Sequence, residues 1–388
     1  MAQTTEPVEL TTDPDESPWP ALASGVDRAV VIGLVIAIVL LIQPGRPGGE
    51  TIAAVTLLAI VLALASRWHV APLAIAALLV VGVAVRAAIT THVGSDVLDV
   101  TIAAIQRAAA GLNPYGVGYD VTRPPGAPFP YGPLALLWYA PVQDAPWQLE
   151  LVMGCVVLTL LALRGRVVGL AIYALGPTLV ATSVDGSNDS SAGVLLLLAF
   201  IAARQRPVLG GVLLAVAVAF KPYAAAWAPA YLLWGGLAPA AAFVIGSVAL
   251  WSPVLFDWGI SNVLASLNLA NAAHRVPFWS LADLYQEVFQ KPASEPAFDT
   301  LRLGLGGGSA LATLPLARLS LDGVIIAGTV VYLVTLFMGF WGTYAYFGAL
   351  APLLCWRIDD WLGLASHPLV ELPIDEVDTS LPAGAAAR

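Results

Sequence analysis

The chain has 388 residues, of which 59% are hydrophobic and 11% are charged. This balance excludes an ordinary soluble globular domain and is typical of a protein with many membrane-spanning helices. The formal net charge is -9, but twelve of the 26 acidic residues lie in the two ends of the chain. The apolar composition makes the lipid bilayer the expected partner. Because no basic stripe is present to neutralise phosphates, we expect no binding to nucleic acid.

The two ends of the chain differ from the rest in composition. Residues 1–28 and residues 357–388 carry six acidic residues each, together with Pro and Thr or Ala and little apolar content. Such segments bury too little apolar surface to fold, so we interpret both as disordered acidic tails, the first of them cytoplasmic. The predicted membrane domain is the remainder, residues 29–356.

Eleven apolar runs between the tails have the composition of membrane helices. They predict an all-α integral membrane protein with about 10–12 transmembrane helices. With eleven spans the C-terminal tail lies outside the cell, whereas a further embedded segment around residues 303–316 returns it to the cytoplasm; both alternatives stay open. The runs cover residues 29–43, 51–66, 70–90, 148–163, 167–183, 190–203, 208–220, 223–234, 238–256, 322–340 and 341–356.

Arginines in short loops indicate the orientation, because basic residues there prefer the cytoplasmic side. A cytoplasmic N-terminus places almost all of them on one side of the membrane. The large loops around residues 91–147 and 257–321 then face the outside of the cell. The arginines concerned are Arg28, Arg67, Arg164, Arg166, Arg204 and Arg206, with Arg46 as the exception.

The first of these outer loops contains two segments that we predict as surface helices. Residues 97–111 carry apolar residues at helical spacing between polar ones, which is typical of an amphipathic helix lying on the membrane. Residues 133–142 are too short to span a bilayer, and their Trp138 and Tyr139 suit an interfacial position. The loop therefore has a folded outer layer.

Asp96 and Asp99 follow directly on the third apolar run. A carboxylate in this place can take a proton from a hydroxyl nucleophile if a pocket raises its pKa towards the working pH. The structural alternative is a helix start, in which Ser95 or Asp96 caps the next helix and Asp99 lies in its first turn. Both interpretations stay open at this point.

Lys221 is the most unusual cation, because it lies between an apolar run and a proline. An ionisable residue in such surroundings is costly in lipid and functional by default, and this one can pair with a lipid-linked phosphate as a point charge. The alternative is a side chain that snorkels to the interface. Weaker candidates for the phosphate are Arg123 in the first outer loop and Arg275, with its neighbour His274, in the second.

Five short segments together carry a resemblance to a known family. They are Gly94-Ser95-Asp96, Gly111-Leu112-Asn113-Pro114-Tyr115, Pro130-Tyr131-Gly132, Gly186-Ser187-Asn188-Asp189 and Phe220-Lys221-Pro222. The region from residue 94 to residue 253 resembles the polytopic, lipid-sugar-dependent glycosyltransferases of the GT-C superfamily. The likeness is to the branch with the bacterial alpha-mannosyltransferases that act on phosphatidylinositol mannosides. In that branch an acidic residue stands about seventeen residues before a Gly-x-Asn-Pro-Tyr-like turn, and Asp96 has this spacing to Asn113.

The resemblance implies transfer of a hexose, expected to be mannose, from a polyprenyl-phosphate donor to a glycolipid or polysaccharide acceptor. The transfer would invert the anomeric centre at the extracytoplasmic face of the cell membrane, with no cofactor and no metal. Asp96 would act as the general base and Asp99 as a secondary acid. Lys221, Arg123 and Arg275 would hold the donor phosphate. The residues expected to line the substrates are Asn113, Tyr115, Tyr131, Asp185, Asp189 and His274.

Two other functions fit the sequence less well. A polytopic transporter or lipid flippase would use Asp96 and Lys221 as pathway charges, but it should place ionisable groups near the bilayer midplane, often within inverted repeats. A membrane scaffold would bind partners through the two acidic tails. Deletion of both tails separates this scaffold from an enzyme, which should keep its activity.

Overall fold

The computed structural model of the chain describes residues 71–88, 95–123, 125–273, 280–338 and 345–362. Within these residues the structure is 80% helical and forms fifteen α-helices. One small antiparallel sheet joins Gly118–Tyr119 (β1) to Ala127–Pro128 (β2) in the first predicted outer loop. The predicted helical class is therefore confirmed, with this hairpin as an addition that the sequence pattern did not show. The apolar runs at 29–43 and 51–66 lie outside the described residues.

The helices follow one another with short connections, and several begin at a proline, which needs no hydrogen bond for its missing N–H. Two 3-10 turns accompany them, at Ala140–Val142 and Pro222–Trp227. The α-helices are Ala71–Ala88 (α1), Val97–Ala109 (α2), Pro133–Tyr139 (α3), Pro146–Leu163 (α4), Val167–Leu175 (α5), Pro177–Ala181 (α6), Asp189–Gln205 (α7), Pro207–Phe220 (α8), Ala228–Gly235 (α9), Leu237–Trp258 (α10), Ile260–Ala273 (α11), Leu281–Phe289 (α12), Glu295–Ala317 (α13), Leu321–Phe337 (α14) and Ala345–Trp361 (α15).

Helix α7 lies at the centre of the bundle. It packs against α4, α8 and α15, and its apolar side chains are buried around its circumference, including Leu195, Leu197 and Phe200. A helix that is apolar on all sides must be surrounded by other helices or by lipid, and here α4, α8 and α15 surround it. The ends of α7 are therefore fixed points on which neighbouring loops are built.

The predicted run at 167–183 is two helices, because the chain breaks at Gly176 and Pro177. Pro177 has no N–H for the carbonyl of Tyr173, four residues earlier. Arg86 of α1 supplies the missing donor: its Nη2 lies 2.8 Å from the Tyr173 oxygen and 3.2 Å from the Leu179 oxygen. The guanidinium is fully buried, so an arginine from a distant segment holds the break together.

Two further segments differ from their prediction. The second predicted outer loop, 257–321, contains the helices α11, α12 and α13. The polar tail predicted from residue 357 begins inside α15, where Asp359 accepts the N–H groups of Val168 and Gly169 at 2.9 and 2.8 Å. This carboxylate satisfies the free N–H groups at the start of α5, and this contact explains why the helix extends beyond the apolar run.

Among the described residues, α4 and α10 are both long enough and apolar enough to cross a membrane. Helices α1, α8 and α14 are apolar but shorter. Most of α10 is exposed at the surface of the bundle, and the exposed fraction is 88% for Leu237 and 85% for Phe256.

Replacing Arg86 by Met should lower the unfolding temperature strongly. The change keeps an unbranched stem but removes the guanidinium, which leaves the carbonyls at the α5–α6 break without their donor, at a cost of at least about 2 kcal/mol. Thermal unfolding of the purified protein in detergent measures the effect. The matched control is Arg206→Met at an exposed position; an equal shift in both variants would show that Arg86 does not hold the break.

Candidate functional site

Segments far apart in the sequence meet at one end of the bundle. The start of α2 is tied to the turn before α7, since Ser95 N–H donates to the Asp185 carbonyl at 2.7 Å and Leu98 N–H to the Gly186 carbonyl at 3.0 Å. The loop before α3 is tied to the end of α8, since Gly132 N–H donates to the Phe220 carbonyl at 3.1 Å. A Cβ at Gly132 would lie 2.0 Å from a backbone oxygen of α8, so only glycine permits this approach.

Lys221 follows the last residue of α8 and points into this end of the bundle. Its ammonium lies 2.6 Å from Asp189 Oδ1 and 2.9 Å from Asn188 Oδ1. Only 4% of the residue is exposed, so it does not reach the surface as the snorkelling alternative requires. Burying a single charge is costly, and the pairing with Asp189 offsets that cost.

Three tyrosine rings surround the Lys221 ammonium. The centroids of Tyr131 and Tyr223 lie 5.7 Å from it, and that of Tyr346 lies at 6.0 Å. Aromatic faces attract a desolvated cation through their quadrupole. The cation is thus enclosed by one carboxylate, one amide and three rings, although these groups come from four separate segments of the chain.

Tyr131 connects the ion pair with Asp96. Burial raises the pKa of the Tyr131 phenol well above its usual value, and the charges of Tyr223, Asp189 and Asp96 raise it further. The phenol is therefore within electrostatic reach of both carboxylates. The predicted base and the predicted phosphate ligand are brought to the same region of the fold.

Asp96 stands at the N-cap position of α2, but its side chain makes no capping hydrogen bond. Its Oδ2 instead accepts the backbone N–H of Arg123 at 2.5 Å, which fixes the carboxylate against the first outer loop. Ser95 provides the local contact, since its Oγ accepts the N–H of Val97 at 3.3 Å. Asp99 lies in the first turn of α2 and is exposed.

A cleft of about 770 Å³ opens beside Asp96. Asp99 and Arg123 line it, with Ser95 and Gly186 at the edge that adjoins Asp96. The structure thus brings Asp99 and Arg123 together in one open space. Lys221 and Tyr131 are buried and do not line the cleft. Asp96 does not line it either, although its neighbour Ser95 and its hydrogen-bond partner Arg123 do.

The predicted substrate residues Asn113 and Tyr115 hold the loop in shape. The Asn113 amide donates to the Trp258 carbonyl at 3.1 Å, and its Oδ1 accepts the N–H of Tyr115 at 2.9 Å. The Tyr115 hydroxyl donates to the Tyr131 carbonyl at 3.1 Å, in a fully buried position. Neither residue lines the cleft, so their contacts explain the Asn-Pro-Tyr turn without a bound substrate. His274 and Arg275 lie outside the described residues.

The remaining two acids flank the turn before α7. Asp189 is the partner of Lys221, and Asp185 Oδ1 accepts the N–H of Ser187 at 2.9 Å. Burial raises the pKa of Asp185 to about 6, although the hydrogen bonds from Ser187 oppose the shift. Asp185 is half-buried, and its carbonyl accepts the N–H that anchors the start of α2.

Glu150 of α4 is a site residue that the sequence interpretation missed. It is 1% exposed; its Oε1 accepts the Tyr139 hydroxyl at 2.5 Å, and its Oε2 accepts the N–H of Ser191 at 3.0 Å. The Ser191 hydroxyl also donates to it. The rule that singles out Lys221, a charge inside an apolar run, applies equally to Glu150 and would have found it.

The opposite end of the bundle holds a second group of charges. Arg357 pairs with Asp322 at 2.7 and 2.9 Å and also contacts Asp360, which pairs with Arg166. These residues connect α14, α15 and the start of α5. Their mutual contacts account for their burial, and they lie away from the cleft.

A scan against protein-family models matches none of them, and searches of curated proteins and of solved structures find no match either. Among the described residues, no group of three or more His, Cys, Asp or Glu side chains is placed to hold a metal ion. Function therefore has to be argued from the chemistry of the site.

Asp189→Asn should destabilise the protein by about 3–5 kcal/mol, because it leaves the Lys221 ammonium buried without its counter-charge. The double variant Asp189→Asn with Lys221→Met removes both charges and should recover part of the loss. Chemical denaturation of the three proteins measures the effect. A double variant that loses the full sum of the two single losses would contradict the pairing.

The stability of the protein should depend on Asp185 between about pH 4 and pH 6. Its folded-state pKa of about 6 lies above the usual 3.8, so the folded protein keeps a proton that the unfolded chain has lost. This contribution is fully present below about pH 4 and is lost as the pH rises to about 6.

Asp185→Asn should remove this contribution to the pH dependence. Unfolding midpoints of the wild type and the variant should converge near pH 3.5, where both side chains are neutral, and the variant should be relatively more stable at pH 7. Parallel curves across the whole range would show that Asp185 titrates normally.

Proposed function

We propose that the chain is an integral membrane glycosyltransferase that transfers a hexose from a polyprenyl-phosphate donor to an acceptor hydroxyl. The observation that carries the proposal is the convergence of separate polar segments at one end of an otherwise apolar bundle. A carboxylate (Asp96) and an enclosed cation (Lys221) lie there, and Arg123, which binds Asp96, also lines an open cleft. A base, a phosphate ligand and room for an acceptor are what this reaction needs.

The surface of the bundle supports a membrane location. Large apolar side chains with more than half of their area exposed occur on several helices, and contiguous exposed apolar surface is typical of contact with lipid or a partner. Together with the length of α4 and α10, they favour a bilayer around the bundle. Examples are Leu73, Val80, Val152, Leu237, Ile245, Val248, Phe256, Leu303 and Leu311.

The direction of α7 supports the proposed side of the membrane. It begins at Asp189 in the site and, at 1.5 Å per residue, ends roughly 25 Å away. Arg164 and Arg204 lie at that far end, close enough for their charges to interact. Arginines favour the cytoplasmic side, so an extracytoplasmic position of the site fits this arrangement.

In the proposed reaction Asp96 takes the proton from the acceptor hydroxyl, whose oxygen attacks the anomeric carbon of the donor. The bond from that carbon to the phosphate oxygen breaks, the lipid phosphate leaves with the electron pair, and the configuration inverts. The hydrogen bond from the Arg123 N–H fixes the orientation of the base. Such positioning of a general base contributes about 10²–10⁴-fold to a rate.

Lys221 would stabilise the departing phosphate. An ammonium has three donors, and the contacts with Asp189 and Asn188 use two of them, which leaves one for a phosphate oxygen. Arg123 is exposed at the cleft, where Asp99 and Asp144 offset its charge, so Lys221 remains the main cation for the phosphate. Charge placed where a leaving group develops its own charge lowers the barrier without movement of the protein.

The ion pair also argues against a transport pathway. Asp189 is the first residue of α7 and Lys221 follows the last residue of α8, so both charges lie at helix ends. A transporter would place such charges near the middle of the bilayer, often at broken helices. The geometry therefore favours the enzyme over the transporter.

Asp96→Asn should reduce transfer by more than about 100-fold while the protein remains folded. The assay incubates purified protein with polyprenyl-phosphate mannose and a lipid extract of the host, and mass spectrometry records a hexose increment. Asp120→Asn, an exposed acid in the same outer loop, is the matched control and should keep wild-type turnover.

The outcomes of this experiment separate three claims. If Asp96→Asn keeps wild-type turnover and Asp99→Asn abolishes it, the base is Asp99, which lines the cleft. If both acids are dispensable, the mechanism is wrong. If the wild type transfers no hexose from the lipid-linked donor, the proposed function is wrong.

A further inference from the structure

The cleft beside Asp96 has three walls of different origin. One wall is a single face of α2, because Asp99, Ile102 and Gln106 are spaced by three and four residues. The second is the turn between α3 and α4, with Gln143 and Asp144 at its tip. Helix α2 buries its other side, so the polar face in the cleft is not needed to hold the helix in place.

The third wall and the floor of the cleft come from two further segments. Val121 and Arg123 come from the loop that also binds Asp96, and Trp147 comes from the first turn of α4. The volume of about 770 Å³ lies within the range of about 300–1,000 Å³ that is usual for small-molecule sites. The cleft is therefore large enough for a ligand of several rings or for part of a longer one.

The polar groups of the cleft match hydroxyl groups. Gln106 and Gln143 carry primary amides, which both donate and accept, and Asp99 and Asp144 carry carboxylates, which accept. A hydroxyl is itself a donor and an acceptor, so such a mixed lining can satisfy several of them at once. The Trp147 ring adds an apolar surface of the kind that packs against the C–H face of a sugar.

The charges of the cleft exclude a strongly anionic ligand. Two carboxylates, Asp99 and Asp144, face one guanidinium, Arg123, which leaves a formal charge of one negative unit. A phosphate or diphosphate would be repelled from this lining, whereas the enclosed Lys221 ammonium keeps one N–H donor that a phosphate oxygen can accept. A ligand with many hydroxyl groups and no charge fits the lining without repulsion.

We infer that this cleft binds a neutral saccharide, and that the acceptor of the reaction presents its hydroxyl to Asp96 from a sugar unit held there. The identification of this saccharide as the acceptor rests on the proposed glycosyltransferase function; the saccharide site itself does not. The acceptor thus binds in the cleft, and the donor phosphate binds near the ion pair.

The test measures binding directly, without donor. Full-length protein in lipid nanodiscs is titrated with the neutral trisaccharides mannotriose and maltotriose, and with inorganic phosphate as the charged comparison. Gln106→Ala and Asp144→Ala each remove one hydrogen-bonding side chain at an exposed position and should weaken saccharide binding roughly tenfold. Gln148→Ala, an exposed position outside the cleft, is the matched control and should bind as the wild type does.

The same variants in the transfer assay should raise the KM for the acceptor by a similar factor and leave the KM for the lipid-linked donor unchanged. Saturable saccharide binding that Gln106→Ala and Asp144→Ala weaken supports the inference even if the wild type transfers no hexose, and then only the proposed function fails. The absence of saturable binding of either trisaccharide, or binding that both variants retain in full, overturns the inference. If transfer nevertheless depends on Asp96, the proposed function is retained and only the saccharide site is wrong.

Discussion

The buried ion pair between Lys221 and Asp189 is the interaction on which the geometry of this end of the protein depends. It joins the end of α8 to the start of α7, and neither charge has an alternative partner in water, because both residues are almost fully buried. Separating the two would leave two desolvated charges, each at a cost of several kcal/mol. The loops that carry Tyr131 and Asp96 are attached to these same two helix ends, so their positions follow from the pair.

Helix dipoles stabilise this ion pair, whereas they would not stabilise an ion pair in the middle of two helices. Asp189 lies at the positive N-terminus of α7, and Lys221 lies at the negative C-terminus of α8, so each charge is stabilised by its own helix as well as by its partner. Glu150 reinforces the same point, since it accepts an N–H in the first turn of α7 through Ser191. A carboxylate near this helix start is thus stabilised both by the helix dipole and by its own polar partner. This explains why the buried carboxylates of Asp189 and Glu150 are tolerated at this end of the apolar bundle.

Helix positions could be read from the sequence wherever an apolar run is long and uninterrupted, as for α4, α8 and α10. The break at Pro177 could be suspected, but its stabilisation by Arg86, about ninety residues earlier, depends on tertiary contact. Between residues 257 and 321 the sequence suggested only the alternative embedded segment around 303–316, which lies within α13; α11 and α12 were missed because their composition is more polar. For the site, the resemblance to the glycosyltransferase spacing was the ground for preferring Asp96 to Asp99, yet it could not show that Asn113 and Tyr115 turn their polar atoms inward to hold a loop.

The negatively charged cleft next to Arg123, the partner of Asp96, suggests how two substrates with hydroxyl and phosphate groups would be kept apart. In the proposed reaction the donor carries the only strong negative charge, so the cleft with Asp99 and Asp144 repels it, whereas the Lys221 ammonium keeps one N–H donor for its phosphate. A neutral acceptor is neither attracted nor repelled by these charges, and the cleft lining selects it by hydrogen bonds alone. Electrostatics would then decide which substrate enters from which side of the base, and hydrogen bonding would decide which hydroxyl is presented to it.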